Sequence, residues 1–342
     1  MFERVFKLSE HKTTVKTEVM AGITTFMTMA YILAVNPSVL GSTGMDTTAV
    51  LLATALASCL GTLCMAFMAN LPFALSAGMG LNAFMAYTVV AGYGYSWQVA
   101  LLAVFIEGLI FIVLSLTNIR EAIFNAIPLT LKKGVSVGIG LFIAFIGLQN
   151  SGLCVDSATL VGIISFPENF HTAGICALLT LIGLFFTAVF YTRKMKGAIL
   201  YGILLTWILG MLCQVTGLYV PTPDAGFYSL FPSWGMTDFS RLGLTFGQCF
   251  NVDFSAVGIV NFIVVIFSFL FVDIFDTLGT LIGVATKAKM LDKDGKLPGI
   301  KPALMADSIA TSAGAILGTS TTTTFVESAS GVAVGGRTGL TA

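Results

Sequence analysis

Apolar segments long enough to cross a lipid bilayer recur along the whole chain. Only 10% of the 342 residues are charged, and the mean hydropathy is +0.93. A soluble domain carries about 25% charged residues, so this chain has too few charges to cover a water-exposed surface. Because a run of about 20 apolar residues crosses the hydrocarbon core as a helix, the sequence predicts an all-α polytopic membrane protein.

Ten apolar segments can be distinguished, separated by more polar stretches of different lengths. They cover residues 17–36, 47–70, 72–90, 97–118, 128–149, 173–191, 196–216, 257–284, 301–318 and 322–342. We refer to them as spans one to ten. The last span ends without a polar tail, so we expect the chain to be truncated after about ten spans.

The basic residues test this count of spans and orient the chain. If the chain crosses the membrane ten times, fifteen of its 17 Lys and Arg residues fall on one side, and only Arg241 and Arg337 do not. The fifteen are Arg4, Lys7, Lys12, Lys16, Arg120, Lys132, Lys133, Arg193, Lys194, Lys196, Lys287, Lys289, Lys293, Lys296 and Lys301. The positive-inside rule then predicts a cytoplasmic N-terminus in the plasma membrane.

Charge balance and cysteine spacing narrow the possible partners. Lys and Arg number 17, as do Asp and Glu, so no acidic partner such as a nucleic acid is implied. The six cysteines have neither metal-ligand spacing nor the pattern of a disulfide framework. The sequence therefore predicts a lipid-embedded protein with no metal and no cofactor.

Spans three and ten are predicted to be interrupted. The sequence around span three is LPFALSAGMGLNAFMAY (71–87). The sequence around span ten is TSTTTTFVESASGVAVGGRTGLTA (319–342). Pro72 and the glycines disfavour a continuous helix in span three, and the Thr run in span ten favours extended backbone. Each span is therefore expected to be a short strand joined to a half-helix, with Gly80 and Asn82 at one helix start and Glu327 and Ser328 at the other.

The two interruptions occupy matching positions if span eight begins a second half. Irregular backbone at membrane depth persists only where it is buried in protein or lines a cavity. Paired interruptions in corresponding halves indicate the binding site of a transporter built from an inverted repeat. The match predicts seven spans per half. The alternative is that both spans are ordinary kinked helices, since Gly and Pro are common in membrane helices.

Five acidic residues lie within or near the cores of predicted spans, and such residues indicate functional sites. They are Glu107, Asp273, Asp276, Asp307 and Glu327. Asp273 and Asp276 are three residues apart, so they share a helix face. Their mutual repulsion and desolvation favour a neutral acid, so at least one is expected to hold a proton as a proton-coupled carrier requires. Glu107 and Asp307 are interpreted as structural or interfacial.

The residues near the interruptions could recognise a flat heterocycle. Glu327 can accept N–H donors from the base, and Phe325 offers a face for stacking. The Asn82 amide can bind substrate or tie the broken helix to the acids. Each candidate has a structural alternative: Asn82 as a contact between helices, Phe325 as packing, Asp276 as a brace for the adjacent Thr and Gly residues, and Asp273 and Glu327 as purely structural acids.

Four segments of the chain resemble one known family. They are GITTFMTMAYILAVNP (22–37), SAGMGLNAFMAY (76–87), FVDIFDTLGTLIG (271–283) and TSTTTTFVESASGVAVGGRTGLTA (319–342). They look like the AzgA-like purine permeases of the nucleobase:cation symporter, or nucleobase–ascorbate transporter, superfamily. The motifs of spans eight and ten carry the resemblance most specifically.

The resemblance implies a fold of seven plus seven inverted-repeat spans and uptake of purine bases with protons. The core domain would include residues 1–118 and 251–342, the gate domain residues 119–250, and the core would slide against the gate like an elevator. A homodimer through the gate is possible in such a family. The implied substrate-binding residues are Glu327, Asp273, Asn82, Phe325, Gly80 and Ser328. The implied proton-coupling residues are Asp276, Asp273 and Glu327.

The sequence therefore predicts a proton-coupled importer of neutral purines such as hypoxanthine, guanine or adenine, rather than an enzyme. Two rival functions fit the sequence less well. An anion transporter of the same architecture would favour half-helix N-termini without acids, whereas this chain places several carboxylates there. An intramembrane aspartyl protease would need two acids on different helices and a GxGD motif, and the sequence lacks that motif.

Overall fold

A computed structural model describes residues 2–342 with gaps. The gaps are 118, 120–121, 123–125, 127, 158–159, 194, 196–197, 224–225, 233–234, 236, 255–256 and 293–296, and the side chains at 129, 132–133, 135–136, 139, 142–143, 200 and 278 are also left out. Five basic residues used to orient the chain lie outside the described residues: Arg120, Lys194, Lys196, Lys293 and Lys296. The side chains of Lys132 and Lys133 do so as well.

The chain divides into two compact units. Unit 1 comprises Met1–Val137 and Thr237–Ala342, and unit 2 comprises Gly138–Met236. The division into core and gate domains at residues 118 and 250 stays a prediction.

Unit 1 contains most of the helices and one pair of strands. Its elements are α1 (Phe2–Phe6), α2 (Val15–Met29), α3 (Ile32–Gly41), α4 (Thr47–Cys64), β1 (Leu75–Ala77), α5 (Met79–Ala83), α6 (Trp97–Leu116), α11 (Ile259–Ala288), α12 (Ile300–Leu317), β4 (Thr322–Thr324) and α13 (Ser328–Val334). Helices α4 and α5 continue as π-helical turns over Met65–Ala69 and Phe84–Gly92, and short 3₁₀ turns cover Phe239–Leu244 and Gln248–Phe250.

Unit 2 is described by itself. It contains β2 (Cys154–Ser157), β3 (Leu160–Ile163), α8 (Phe166–Asn169), a π-helical turn (Phe170–Gly174), α9 (Ile175–Thr192) and α10 (Ala198–Val215). Strands β2 and β3 form an antiparallel hairpin. Helix α7 (Leu129–Asn150) runs across the boundary between the units.

Helical segments lie over all ten predicted spans, and spans three and ten each consist of a strand followed by a short helix, as expected. Among the described residues, five helices are long and apolar enough to cross a membrane. They are Val15–Gly41, Thr47–Ala69, Trp97–Leu116, Phe166–Thr192 and Ile259–Ala288. The protein is thus a mostly helical, multi-pass membrane protein.

Side-chain caps fix where three spans of unit 1 begin. Thr14, Asp46 and Ser96 each accept a hydrogen bond from the backbone N–H three residues later, at the start of α2, α4 and α6. The Asp46 bond is 2.8 Å long. A cap of this kind satisfies an N–H that has no partner within the helix.

The two interrupted spans pair with each other through β1 and β4. The strands are antiparallel, with Leu75 opposite Thr324 and Ala77 opposite Thr322. Two further backbone bonds extend the pair: Gly78 N–H donates to Thr321 O at 3.0 Å, and Phe325 N–H donates to Ala74 O at 2.9 Å. On one edge of each strand, the backbone N–H and C=O groups are therefore hydrogen-bonded to the other strand.

Hydroxyl side chains satisfy polar groups on the outer edges of this strand pair. The backbone N–H of Leu75 donates to Thr62 Oγ1 at 3.0 Å. The Thr311 hydroxyl donates to Thr322 O at 2.9 Å. A two-stranded ribbon would otherwise leave backbone groups unpaired in a medium without water, so these bonds explain how extended backbone is stable here.

Small residues let α12 pack closely between α4 and α6. A Cβ added to Gly61 would lie 2.7 Å from Ala310 Cβ, and one added to Gly108 would overlap the Ser312 hydroxyl. Small side chains at such contacts allow membrane helices to approach closely. This packing sets α12 directly behind the strand pair.

Candidate functional site

The candidate site surrounds the strand pair, from which two short helices start in opposite directions. Helix α5 begins at Met79 after Gly78, and α13 begins at Ser328 after Glu327. Neither start has a side-chain cap. Because β1 and β4 are antiparallel, the N-terminal ends of the two helices approach the pair from opposite sides.

Glu327 and Phe325 lie together at the start of α13. Glu327 is partly exposed, and its Oε1 accepts a hydrogen bond from the Tyr31 hydroxyl at 2.6 Å. Phe325 is 5% exposed, and its ring centroid lies 6.4 Å from that of Tyr31. A carboxylate and two aromatic rings therefore share one location.

Asp276 lies at the start of the other short helix. A Cβ added to Gly78 would lie 3.2 Å from Asp276 Oδ2, which places this carboxylate beside the α5 N-terminus. Asp276 is partly exposed and close enough to Glu327 and Asp307 to be repelled by their charges. We call Asp276 and Glu327 the partly exposed acids.

Asp273 occupies different surroundings, although it is three residues from Asp276. It is fully buried, and the Thr277 hydroxyl lies 3.1 Å from its Oδ1. The same hydroxyl lies 3.3 Å from Asp307 Oδ2 and 2.9 Å from Thr323 Oγ1. The Thr277 hydroxyl therefore lies within hydrogen-bond distance of both buried carboxylates and of a Thr on β4.

Glu107 and Asn82 accept hydrogen bonds from the two residues that precede β4, Thr321 and Ser320. Glu107 is fully buried, and its Oε2 accepts from the Thr321 hydroxyl at 2.9 Å. The Ser320 hydroxyl donates to Asn82 Oδ1. Asn82 is 1% exposed, and its Nδ2 has no hydrogen-bond partner among the described residues. We call Glu107, Asp273 and Asp307 the buried acids.

The remaining predicted site residues have structural contacts. The Ser328 hydroxyl is buried and accepts from the Ala74 N–H at 3.0 Å, which ties α13 to the residue before β1. Gly80 lies in α5, where its carbonyl accepts from Phe84 N–H. The structure thus brings Glu327, Phe325 and Asp276 to a partly exposed region and places Asp273, Asn82 and Ser328 behind it.

Several contacts of the site were not predicted from the sequence. Tyr31, Thr277 and Thr321 carry no charge and were not singled out. The contact of Asp307 with Thr277 was not predicted either, although Asp307 was interpreted as structural or interfacial; it is fully buried. The Thr run 321–324 is a signal for the contact of Thr321, because hydroxyls are common partners of buried carboxylates. It gives no indication of Tyr31.

Glu18 forms a second buried carboxylate centre, also missed in the sequence, near the start of α2. Its Oε1 accepts from Arg337 N–H at 3.0 Å, and its Oε2 accepts from the Thr338 N–H at 3.1 Å and the Thr341 hydroxyl at 2.6 Å. Glu18 therefore fastens the segment after α13 to the first span.

Comparison with known proteins identifies the family. Residues 16–342 match the Xan_ur_permease family, described as a permease family. The chain belongs to this permease family. It is therefore a transport protein rather than an enzyme, and the resemblance given in the sequence analysis is confirmed.

Three curated relatives align with nearly the whole chain. The chain is 42% identical to the adenine permease AdeP of Escherichia coli (strain K12), over 100% of this chain and 72% of the relative. It is 44% identical to the guanine/hypoxanthine permease PbuO of Bacillus subtilis (strain 168), over 99% and 74%. It is 48% identical to the putative permease MJ0326 of Methanocaldococcus jannaschii, over 99% and 73%.

One solved structure shares the fold. The transmembrane domain of the cyanobacterial bicarbonate transporter BicA aligns with a TM-score of 0.56 over 95% of this chain and 78% of that chain, at 16% identity. At this identity the likeness concerns the fold alone.

Proposed function

We propose that the protein imports neutral purine bases, such as adenine, guanine or hypoxanthine, by proton symport across the plasma membrane. The observation that carries the proposal is the Glu327 carboxylate, held by Tyr31 beside Phe325 and near Asp276. The printed names of the adenine and guanine/hypoxanthine permeases among the relatives support purines as the substrate class.

Glu327 is the acceptor for purine N–H groups in this proposal, because an ionised carboxylate only accepts hydrogen bonds. Phe325 contacts the ring of the base. Asp273, Asn82, Gly80 and Ser328 shape the region behind it through the contacts described above.

The proton is carried by the acids near the strand pair. Asp276, whose carboxylate lies beside the start of α5, binds it. Asp273 exchanges it with Asp276 through the cluster around Thr277. Glu327 takes part when the base leaves and its carboxylate loses its donor.

We also propose the finer architecture expected from the sequence. It comprises a seven-plus-seven inverted repeat, a core of 1–118 and 251–342, a gate of 119–250, an elevator motion and a dimer through the gate, with the N-terminus in the cytoplasm. Pairing of β1 from span three with β4 from span ten supports the repeat, because it joins elements at matching positions of two halves.

Radiolabelled purine uptake tests the function. Cells lacking their own purine permeases would express the wild type, Glu327→Gln, Asp273→Asn and the control Glu10→Gln, whose carboxylate lies on the surface in an ion pair with Lys7. Uptake by the wild type and Glu10→Gln that rises at lower external pH, and is lost in the other two variants, is expected. Normal uptake by both site variants would end the proposal.

Competition in the same assay separates the anion alternative. Unlabelled adenine, guanine and hypoxanthine are expected to inhibit uptake, whereas bicarbonate and sulfate are not. Inhibition by the anions alone would favour an anion transporter.

A further inference from the structure

Tyr31 lies at the junction between the two helices of the first span. Helix α2 ends at Met29 and α3 begins at Ile32. At this junction the Leu33 N–H bonds three residues back to Ala30 O, so the regular α-helical pattern is locally interrupted. The hydrogen bond from the Tyr31 hydroxyl to Glu327 places this junction next to the start of α13.

Tyr31 contacts both candidate recognition residues of span ten. Its hydroxyl donates to Glu327 Oε1 at 2.6 Å, and its ring is tilted 34° from that of Phe325. Both rings pack in a cluster with Met29, Ile32 and Ala74. The aromatic body is thus fixed by packing, and its hydroxyl has one acceptor among the described residues.

The hydrogen bond gives the two oxygens of the Glu327 carboxylate different surroundings, because only Oε1 accepts from Tyr31. A bond of 2.6 Å from a hydroxyl to a carboxylate is in the range of strong, charge-assisted bonds. No side-chain donor among the described residues holds Oε2. Because Oε1 is held, the plane of the carboxylate and the direction of Oε2 are defined before any substrate arrives.

We propose that Tyr31 is a positioning residue for purine recognition: its hydroxyl holds Oε1 of Glu327 so that Oε2 accepts an N–H of the base. The inference rests on the proposed function and deepens it. Tyr31 acts through Glu327, and pre-orientation of an acceptor lowers the ordering cost of binding. A freely rotating carboxylate would bind the same N–H more weakly.

Tyr31→Phe tests the role, because it removes the hydroxyl and keeps the ring against Phe325. We expect the KM for hypoxanthine to rise about tenfold, which corresponds to about 1.4 kcal/mol, with maximal uptake per transporter within about twofold. The matched control is Tyr87→Phe, on the π-helical turn after α5, whose side chain is exposed; its KM is expected to stay at the wild-type value.

A panel of mono-N-methylated hypoxanthines distinguishes positioning from packing. Wild type is expected to discriminate most against the analogue whose methyl group replaces the N–H bound by Glu327, and in Tyr31→Phe this discrimination is expected to shrink several-fold. An equal loss of affinity for every analogue, or an unchanged KM, would overturn the inference while purine transport itself stands. Absence of purine uptake by the wild type would instead overturn the proposed function.

A second variant keeps the test decisive if Tyr31→Phe reduces the amount of folded protein. Glu327→Asp shortens the side chain and withdraws the carboxylate from Tyr31. Purine binding to purified protein, measured by ligand-induced thermal stabilisation, is expected to weaken no further when Tyr31→Phe is added to Glu327→Asp. Additive losses would contradict coupling between the two residues.

Discussion

The partly exposed acids and the buried acids are chemically alike but are held in different ways. Glu327 receives a phenol hydroxyl, and Asp276 lies at the start of a short helix. Asp273, Glu107 and Asp307 are instead fully buried among threonine hydroxyls. Burial separates the two groups: Glu327 and Asp276 are partly exposed, whereas the buried acids are enclosed by the backbone around them. We therefore expect substitutions of Glu327 or Asp276 to affect transport first, and substitutions of Glu107 or Asp307 to affect stability first. Asp273 belongs to the buried acids by its surroundings, but the proposed proton exchange gives it a role in transport as well.

The largest effect is expected for a buried acid. Asp307→Ala removes an acceptor of the Thr277 hydroxyl from a fully buried position, and the free energy of unfolding is expected to fall by about 2–3 kcal/mol or more. Thermal unfolding in detergent measures the loss. Asp307→Asn keeps an acceptor and should lose clearly less. If Asp307→Ala were as stable as the wild type, the buried acids would not differ from the partly exposed acids in their contribution to stability.

Glu327→Gln is the converse test. We expect purine uptake per transporter to fall about a hundredfold, because a charged acceptor is lost from the site, which costs about 1.5–3 kcal/mol. The melting temperature should stay close to that of the wild type, since a partly exposed carboxylate has little packing to lose. A large drop in melting temperature would assign Glu327 to the structural group.

Thr277→Val sharpens the comparison by removing a hydroxyl at nearly constant volume. Its three polar neighbours lose a common partner, and a destabilisation of about 1–2 kcal/mol is expected. Thr286→Val on the same helix is the matched control, because the Thr286 side chain is exposed and bonds within its own helix to Ile282 O. Equal effects of the two substitutions would show that the central position of Thr277 is unimportant.

The smallest effect is expected for a carboxylate in water. Hydrogen bonds from the Ser240 side chain and backbone hold the pKa of Asp238 below its usual value. The carboxylate is therefore already ionised at the pH where a free Asp would titrate, and it does not titrate near neutral pH. Asp238→Asn should leave the pH profile of purine uptake unchanged. A shifted profile in this variant would mean that acids outside both groups couple to transport.

Much of the fold could be predicted from composition and local pattern. The apolar segments predicted the spans, and Pro72, Gly78 and the Thr run predicted a strand and a short helix at two of them. Local chemistry decides these features, since an apolar run or a helix-breaking residue acts within a few neighbours.

The arrangement of the site could be predicted only in part. Spacing placed Asp273 and Asp276 on one helix face, yet the packing of α12 and β4 buries one and leaves the other partly exposed. The Tyr31–Glu327 contact joins residues 296 positions apart, and no local pattern encodes it. An uncharged residue with a decisive long-range partner is therefore invisible until the chain is folded.

The pairing of β1 with β4 also has a mechanical consequence. Backbone bonds join Ala74 to Phe325 at one end and Gly78 to Thr321 at the other. A force on α5 or on α13 is therefore transmitted to the other short helix through the strand pair, and the two interrupted spans are mechanically coupled.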